Sequence, residues 1–125
     1  MTHEEGKKFV EKLFHAWKNG LIDQYDSLYH PNVSARLNQT IPLSYEHINK
    51  RFHYVSTSNV DREFKIEDLV VEGDKIMVFF CYSAYDNHLQ EAINAPTMWL
   101  LTLDQGKIAK AEILTSLQFN YLEKT

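Results

Sequence analysis

The helical part of the hydrophobic pattern lies in the first half of the chain. Apolar residues recur every three or four positions after a Thr2–Glu5 capping box, and this spacing predicts a helix that ends at Asn19-Gly20. A shorter helix is predicted over 22–29, and a third begins after Ser44, whose hydroxyl can cap it. The predicted buried stripes are Phe9, Val10, Leu13, Phe14 and Trp17, then Ile22, Tyr25, Leu28 and Tyr29, and then Tyr45, Ile48, Phe52 and Val55.

Alternating apolar residues predict strands in the rest of the chain. One short strand is expected over 33–38, and longer ones over 64–71, 76–85, 93–103 and 108–121, with hairpin turns at 72–75 and 104–107. The runs over 76–85 and 97–103 are apolar on both faces, so both faces need a cover. Helices followed by a strand meander predict an α+β domain, with helices on one face of a curved antiparallel sheet.

Composition narrows the class of protein. The chain has 125 residues and neither repeats nor a linker, which predicts a single domain over 1–125. Its net charge of −4 argues against a nucleic-acid partner, which would require a basic face. No apolar run is long enough to span a membrane, no signal-peptide pattern is present, and Cys81 has no second cysteine to pair with. We therefore expect a cytoplasmic protein without a membrane partner.

Three motifs carry a family resemblance. They are Trp17-x-x-Gly20, Leu28-Tyr29-x-Pro31-x-Val33 and Leu103-x-x-Gly106-Lys107-Ile108. In this order the chain resembles the nuclear-transport-factor-2-like superfamily, and within it the SnoaL-like group, which is related to the ketosteroid isomerases. The resemblance implies a cone in which the sheet wraps around the first helix and leaves an apolar pocket. It also implies a homodimer that buries the convex face.

The residues do not support the isomerase chemistry of that superfamily. The resemblance places the proton-transfer groups of such isomerases at Leu13, Leu37 and Trp99, and none of these side chains can transfer a proton. We therefore expect no isomerase activity, and the same gap argues against cyclase chemistry that depends on a pocket acid.

The expected inner face defines a candidate ligand site. The assigned ligand-binding residues are Leu13, Trp17, Leu37, Phe52, Phe79, Cys81, Ser83, Tyr85, Thr97, Trp99, Ala111, Ile113 and Thr115, together with the flanking Met77 and Leu101. These side chains either surround a cavity for an apolar or aromatic ligand or fill the cone as ordinary core. The opposite set, Ile76, Val78, Phe80, Tyr82, Leu100 and Leu114, is predicted to form the convex dimer face.

Other chemistry is less well supported by the pattern. The six histidines have no ligand spacing, so no metal or other cofactor is expected, and Cys81 in an apolar run is read as a small apolar residue. Glu112 is expected to form a salt bridge or a dimer contact on the convex face. The preferred hypothesis is a protein that binds an apolar small molecule. One alternative is an enzyme of isomerase, cyclase or hydrolase type that uses His53, Tyr54 or Tyr85 on a hydrophobic substrate. The other is a protein-interaction module that uses the convex sheet.

Overall fold

The computed structural model describes residues 1–117, in which three helices and six strands follow one another. They are α1 (His3–Asn19), α2 (Ile22–Leu28), β1 (Tyr29–Leu37), β2 (Ile41–Leu43), α3 (Tyr45–Ser58), β3 (Asn59–Glu72), β4 (Lys75–Asp86), β5 (Glu91–Asp104) and β6 (Lys107–Thr115). The predicted helices and strands are thus all present, and β2 is an addition. The last strand was predicted to reach position 121, but β6 ends at Thr115, so the prediction is wrong for 116–117, and 118–121 lie outside the described residues.

The six strands of the described chain form one curved sheet in the order β2-β1-β6-β5-β4-β3. Neighbouring strands run antiparallel except β1 and β6, which pair in parallel. Helices α1 and α3 pack against the inner face of this sheet, so the core lies inside the cone. The α+β cone predicted from the sequence is confirmed.

The ends of α1 follow from local chemistry. Thr2 accepts a hydrogen bond from the Glu5 amide at 3.1 Å, and the Glu5 carboxylate accepts one from the Thr2 amide at 2.8 Å. Gly20 ends the helix with φ 64°, a left-handed conformation that a residue with a Cβ adopts less readily. Near the helix start, Gly6 lies so close to β3 that an added Cβ would overlap the Val71 side chain. Glycine at position 6 therefore allows the close approach of α1 to the sheet.

The predicted register of β4 is wrong. Ile76, Val78, Phe80 and Tyr82 face the core and are nearly inaccessible to solvent, although the sequence placed them on the convex face. The outer face instead carries Met77, Phe79, Cys81, Ser83 and Tyr85, which the sequence placed inside the cone. The error has a physical cause, because side chains alternate with a period of two and a shift of one residue exchanges the faces. Since both sets are largely apolar, hydrophobicity alone did not distinguish them.

Pairing with β5 fixes the correct face. Val78 lies opposite Trp99, and Phe80 lies opposite Thr97, so these residues share the inner side. On the outer side, Met77 lies opposite Leu100, and Phe79 lies opposite Met98. The predicted outward positions of Leu100 and Leu114 are confirmed by this register. We call the resulting apolar surface the outer patch, made of Val70, Met77, Phe79, Met98, Leu100 and Leu114.

The outer face of β6 carries an ion pair. Glu112 contacts Arg36 of the adjacent β1 strand, with Nη2 of the guanidinium 2.7 Å from the carboxylate. The expected salt bridge of Glu112 is therefore present, and its partner is Arg36. Hydrogen bonding to Glu112 raises the pKa of Arg36 above its usual value, and the charge of Glu112 adds to this effect.

Candidate functional site

A cavity of about 70 Å³ lies between α3 and the inner face of the sheet. Its walls are formed by α1, α3 and the sheet strands, together with Leu117. The lining residues are Trp17, Tyr29, Leu43, His47, Ile48, Arg51, Val55, Phe64, Phe80, Tyr82, Thr97, Trp99, Leu101, Ala111, Ile113, Thr115 and Leu117. Most of these side chains are apolar, so the interior suits an apolar group.

Aromatic rings form one continuous wall of the cavity. Trp17 lies edge-on to Trp99 with ring centroids 6.2 Å apart, and Trp99 lies edge-on to Phe80 at 5.1 Å. The indole Nε1 of Trp17 donates a hydrogen bond to the Tyr29 hydroxyl at 3.3 Å, which satisfies a buried polar atom. Burial raises the pKa of Tyr29 above its usual value, although the bond from Trp17 works in the opposite direction. Tyr29 therefore remains a neutral phenol in this wall.

The hydroxyl groups on the sheet side are largely engaged within the protein. Thr97 and Thr115 share a hydrogen bond between their Oγ1 atoms at 2.9 Å, and Thr97 also donates to the Ala95 carbonyl. The Tyr82 hydroxyl accepts a bond from the Asn59 side-chain amide at 2.6 Å. Burial raises the pKa of Tyr82, while the Asn59 bond and the positive charge of Arg51 oppose this rise. The positive charge of Arg51 thus lowers the pKa of the Tyr82 hydroxyl, although the effect of burial is larger.

His47 and Arg51 line the cavity one helical turn apart on α3. Both are half-buried, and we call the polar side of the cavity that they form the cavity mouth. His47 also completes the cap of α3, because its Nδ1 accepts a hydrogen bond from the Ser44 amide at 3.0 Å. The Arg51 guanidinium carbon lies 5.8 Å from the Tyr54 ring centroid. Among the described lining residues, none is acidic.

The structure distributes the sequence-assigned ligand residues over three places. Those that line the cavity are Trp17, Thr97, Trp99, Ala111, Ile113 and Thr115. Those buried in the core away from the cavity are Leu13, Leu37 and Phe52. Those on the outer face of β4 are Phe79, Cys81, Ser83 and Tyr85, so their assignment to the inner face is wrong. Cys81 there donates to the Asn94 side-chain oxygen at 2.8 Å.

The sequence assignment missed the α3 wall. His47, Ile48, Arg51 and Val55 fall on one side of α3, at spacings of one, three and four residues. Ile48 and Val55 were recognised as buried, and the same spacing could have identified their polar neighbours as cavity residues. The other omissions, Tyr29, Leu43, Phe64, Phe80, Tyr82 and Leu117, depend on strand register and on long-range contacts.

The residues named for an enzymatic alternative lie away from the cavity. Tyr54 donates to the Asp86 carboxylate at 2.8 Å, and the second oxygen of Asp86 accepts bonds from the His88 and Leu89 amides. Burial and this bond to Asp86 raise the pKa of Tyr54 to about 12. His53 is exposed on α3, and Tyr85 is exposed on the outer face. The network around Asp86 therefore stabilises the β4–β5 turn.

Residues 1–117 contain neither a candidate metal cluster nor a candidate membrane-spanning helix. No three His, Cys, Asp or Glu side chains gather there in an arrangement that could hold a metal ion. None of the helices in this range is both long and apolar enough to cross a membrane.

Comparison with known proteins identifies the class. The sequence matches the SnoaL-like domain family over residues 10–111, and the chain belongs to that family. This confirms the resemblance inferred from the motifs. No curated protein matches the sequence.

Solved structures share the complete fold. AclR from Streptomyces galilaeus, a candidate hydroxylase, is 11% identical with a TM-score of 0.82, and the match covers 98% of this chain and 96% of AclR. TsrD from Streptomyces laurentii is 16% identical with a TM-score of 0.78, over 93% and 91% of the two chains. A candidate SnoaL-like polyketide cyclase from Jannaschia sp. CCS1 is 16% identical with a TM-score of 0.76, over 91% and 87%. Identities this low show a common fold alone.

Proposed function

We propose that this protein binds an apolar or aromatic small molecule in the cavity of the cone. The observation that carries the proposal is the cavity itself, which is bordered by Trp17, Trp99 and Phe80 and lies against α3. A core that only supports the fold is close-packed and leaves few voids larger than a water molecule. A space of about 70 Å³ with an aromatic wall is therefore a candidate binding site.

The volume limits what can enter. An apolar protein cavity of about 150 Å³ holds benzene, and the interior here is about half as large. The ligand thus inserts an apolar end and extends its remaining part through the cavity mouth. Small rotations of the aromatic side chains in the cavity wall would enlarge the cavity enough to admit a complete aromatic ring of the ligand.

Binding is better supported than catalysis. Proton transfer at carbon needs a positioned acid or base, and the described lining residues include no carboxylate. His47 is the one imidazole among the described lining residues, but its Nδ1 is occupied by the Ser44 amide. A cyclase or hydroxylase activity, as the names of similar proteins suggest, would have to use His47 Nε2 or a group carried by the substrate.

The outer patch supports the proposal of a homodimer, whereas the cytoplasmic location stays a prediction from the sequence. Met77 and Phe79 are 41% and 44% exposed, and they adjoin Leu100 and Met98 on β5. A contiguous apolar surface in the middle of a sheet favours association. A two-fold axis through this face would bury the patch of both subunits, and it would leave the cavity mouth on the opposite side of the sheet accessible.

A paired substitution of Trp99 tests the binding function. The protein is screened against monocyclic and bicyclic aromatic molecules by thermal unfolding and tryptophan fluorescence. A ligand present at 100 times its Kd adds about 2.7 kcal/mol to the free energy of unfolding, which raises Tm by on the order of 10 °C for a domain of this size. We expect Trp99→Ala to lose affinity for the molecules that bind, and Trp99→Phe to keep most of it.

A different set of results would contradict ligand binding in the cavity. If the unmodified protein shows neither a Tm shift nor a fluorescence change with any of these molecules, and Trp99→Ala only lowers stability by about 3–5 kcal/mol, then Trp99 is ordinary core. The binding function would then be wrong, and the interaction module would remain.

A further inference from the structure

The two threonine hydroxyls on the cavity wall have no hydrogen left for a ligand. Thr97 donates to the Ala95 carbonyl at 3.1 Å, and the Oγ1 atoms of Thr97 and Thr115 lie 2.9 Å apart. Because Thr97 uses its hydrogen in the first bond, Thr115 must donate in the second. Thr115 also accepts a bond from the Leu117 amide. Both threonine hydrogens are therefore bound within the protein.

Tyr82 differs from the threonines because its hydroxyl accepts a hydrogen bond and does not donate one. The side-chain Nδ2 of Asn59 donates to this oxygen at 2.6 Å, and within residues 1–117 the hydroxyl donates to no acceptor. A phenol hydrogen lies in the plane of the ring, so a donor on one side of the oxygen leaves the hydrogen on the other side. Tyr82 lines the cavity and is 3% exposed. It is thus a buried donor without an acceptor in the described part of the chain.

Tyr29, the other phenol on the described cavity wall, has a candidate acceptor inside the protein. It accepts the bond from Trp17 at 3.3 Å. Tyr25 packs beside it with ring centroids 4.9 Å apart, and the buried Tyr25 hydroxyl has no hydrogen-bond partner among the described residues. The hydrogen of Tyr29 can therefore be taken up by Tyr25, whereas the residue bonded to the Tyr82 oxygen is itself a donor.

The hydrogen of Tyr82 indicates the polar group that a ligand would present to it. A buried hydroxyl that loses water without gaining a partner is costly, and most buried polar groups are paired. Burial raises the pKa of Tyr82, so the hydroxyl keeps its hydrogen at neutral pH. Phe64, with its ring centroid 4.8 Å from that of Tyr82, and Phe80 make the neighbouring wall apolar, which disfavours a charged group. The complementary ligand atom is therefore an uncharged acceptor.

We propose that Tyr82, held by Asn59, donates a hydrogen bond to an uncharged acceptor oxygen of the ligand, such as a ketone or aldehyde carbonyl, while an apolar or aromatic body occupies the rest of the cavity. This inference rests on the proposed binding function. Leu13, Leu37 and Trp99, the positions that the family resemblance assigns to proton transfer, supply no donor to this oxygen. Tyr82 determines specificity by touching the ligand, and Asn59 is a positioning residue because it acts through Tyr82.

Matched ketones and alkenes test the preference. Acetophenone is compared with α-methylstyrene, and cyclopentanone with methylenecyclopentane, by calorimetry and Tm shift. Each pair exchanges a carbonyl oxygen for a methylene group at almost the same shape, and the cyclic pair suits a small cavity. The alkenes gain more than the ketones from leaving water. The informative quantity is therefore the ratio of ketone to alkene affinity and its change on substitution.

Tyr82→Phe removes the donor and keeps the ring. A carbonyl buried without its donor loses a hydrogen bond and is left unsatisfied. We therefore expect the ratio of ketone to alkene affinity to fall about tenfold, which corresponds to about 1.4 kcal/mol, while alkene affinity changes little. Tyr25→Phe is the matched control, because Tyr25 is buried like Tyr82 but does not line the cavity. This control should leave the ratio unchanged.

Asn59→Asp reverses the polarity of the group behind Tyr82. A carboxylate can only accept, so Tyr82 would turn its hydrogen toward position 59 and away from the ligand. The ratio of ketone to alkene affinity should then fall as it does in Tyr82→Phe, although the phenol remains. If Asn59 only supports the fold, both affinities change together and the ratio stays the same.

The carbonyl stretch of the bound ketone gives a readout that does not depend on affinity. Infrared difference spectra are recorded with acetophenone labelled with ¹³C at the carbonyl. In the unmodified protein we expect a lower stretching frequency than in an apolar solvent, because a hydrogen bond weakens the C=O bond. The shift should disappear in Tyr82→Phe. If that variant does not fold, the unmodified protein still decides, since a carbonyl without a shift overturns the inference.

The outcomes distinguish the inference from the binding function. If ketones and alkenes bind but Tyr82→Phe leaves the ratio intact, or if Tyr29→Phe lowers it instead, the inference is overturned while the binding function stands. The same holds if molecules of the wider aromatic screen bind and no carbonyl compound does. A ratio that falls in Tyr82→Phe and not in Tyr25→Phe supports both. If neither ketones nor alkenes bind and the wider screen also fails, the binding function is overturned, and the inference falls with it.

Discussion

Filling the cavity from Ala111 should stabilise the protein and weaken ligand binding at once. Ala111 is buried in the middle of β6, and its methyl group lines the cavity. Cavities in a protein core cost about 24 cal/mol per Å³, so 70 Å³ corresponds to about 1.7 kcal/mol. Ala111→Val adds two methyl-sized groups at about 0.8 kcal/mol each. The two estimates agree on a gain of about 1.6–1.7 kcal/mol, or a rise in Tm of about 6 °C.

Ala35→Val is the matched control for this change. Ala35 lies on β1 directly beside Ala111 in the sheet register, and it is equally buried, but it does not line the cavity. The added volume there has no space to occupy and should cost about 1–3 kcal/mol. The preference of valine for strands is the same in both variants, so it cancels in the comparison.

Two measurements decide the outcome. Thermal and urea unfolding should rank Ala111→Val above the unmodified protein and Ala35→Val below it. Titration with an aromatic ligand should show weaker binding by Ala111→Val, because the new methyl groups occupy the ligand volume. If both valine variants are destabilised to the same degree, the space beside Ala111 does not exist in solution, and the argument from the cavity fails.

Two further predictions concern the outer patch and the contact of α1 with the sheet. Phe79→Lys places a charge in the proposed dimer interface, so light scattering should show a monomer. Leu89→Lys makes a similar change at an exposed position outside the patch and should leave the dimer intact. If the unmodified protein is a monomer at micromolar concentration, the dimer is contradicted. Gly6→Ala should lower the free energy of unfolding by about 1–3 kcal/mol, because the new methyl group would overlap Val71. Urea unfolding measures this change. An unchanged urea midpoint would show that α1 can shift to accommodate the methyl group.

The helices could be predicted from the sequence because their signals are local. The capping residues Thr2 and Ser44 and the terminal Gly20 act within one turn of their own helix, and all three occupy the predicted roles. Strand β2 was missed because Ile41–Leu43 has only three residues. The parallel pairing of β1 with β6 joins segments more than 70 residues apart, and no local pattern indicates it.

Strand register separates the correct part of the predicted site from the wrong part. On β6 the inward Ala111 was assigned correctly, because Lys110 and Glu112 mark the opposite side of that strand. Thr97 and Trp99 on β5 were also assigned to the inner face, although Met98 and Leu100 on the other side are apolar. Strand β4 offers no such contrast along most of its length. Its face is decided by hairpin pairing with β3 and β5, in which Val71 and Leu101 flank Ile76 on the inner side.

The polar part of the site, His47 and Arg51, was missed because its place at the cavity depends on how α3 packs. His47 and Arg51 look like ordinary surface residues of an amphipathic helix, because they border the stripe of Ile48 and Val55 without belonging to it. Only the placement of α3 over the open side of the cone turns that border into a cavity wall. The position of the polar lining therefore depends on where α3 packs against the sheet, which no local pattern of the helix encodes.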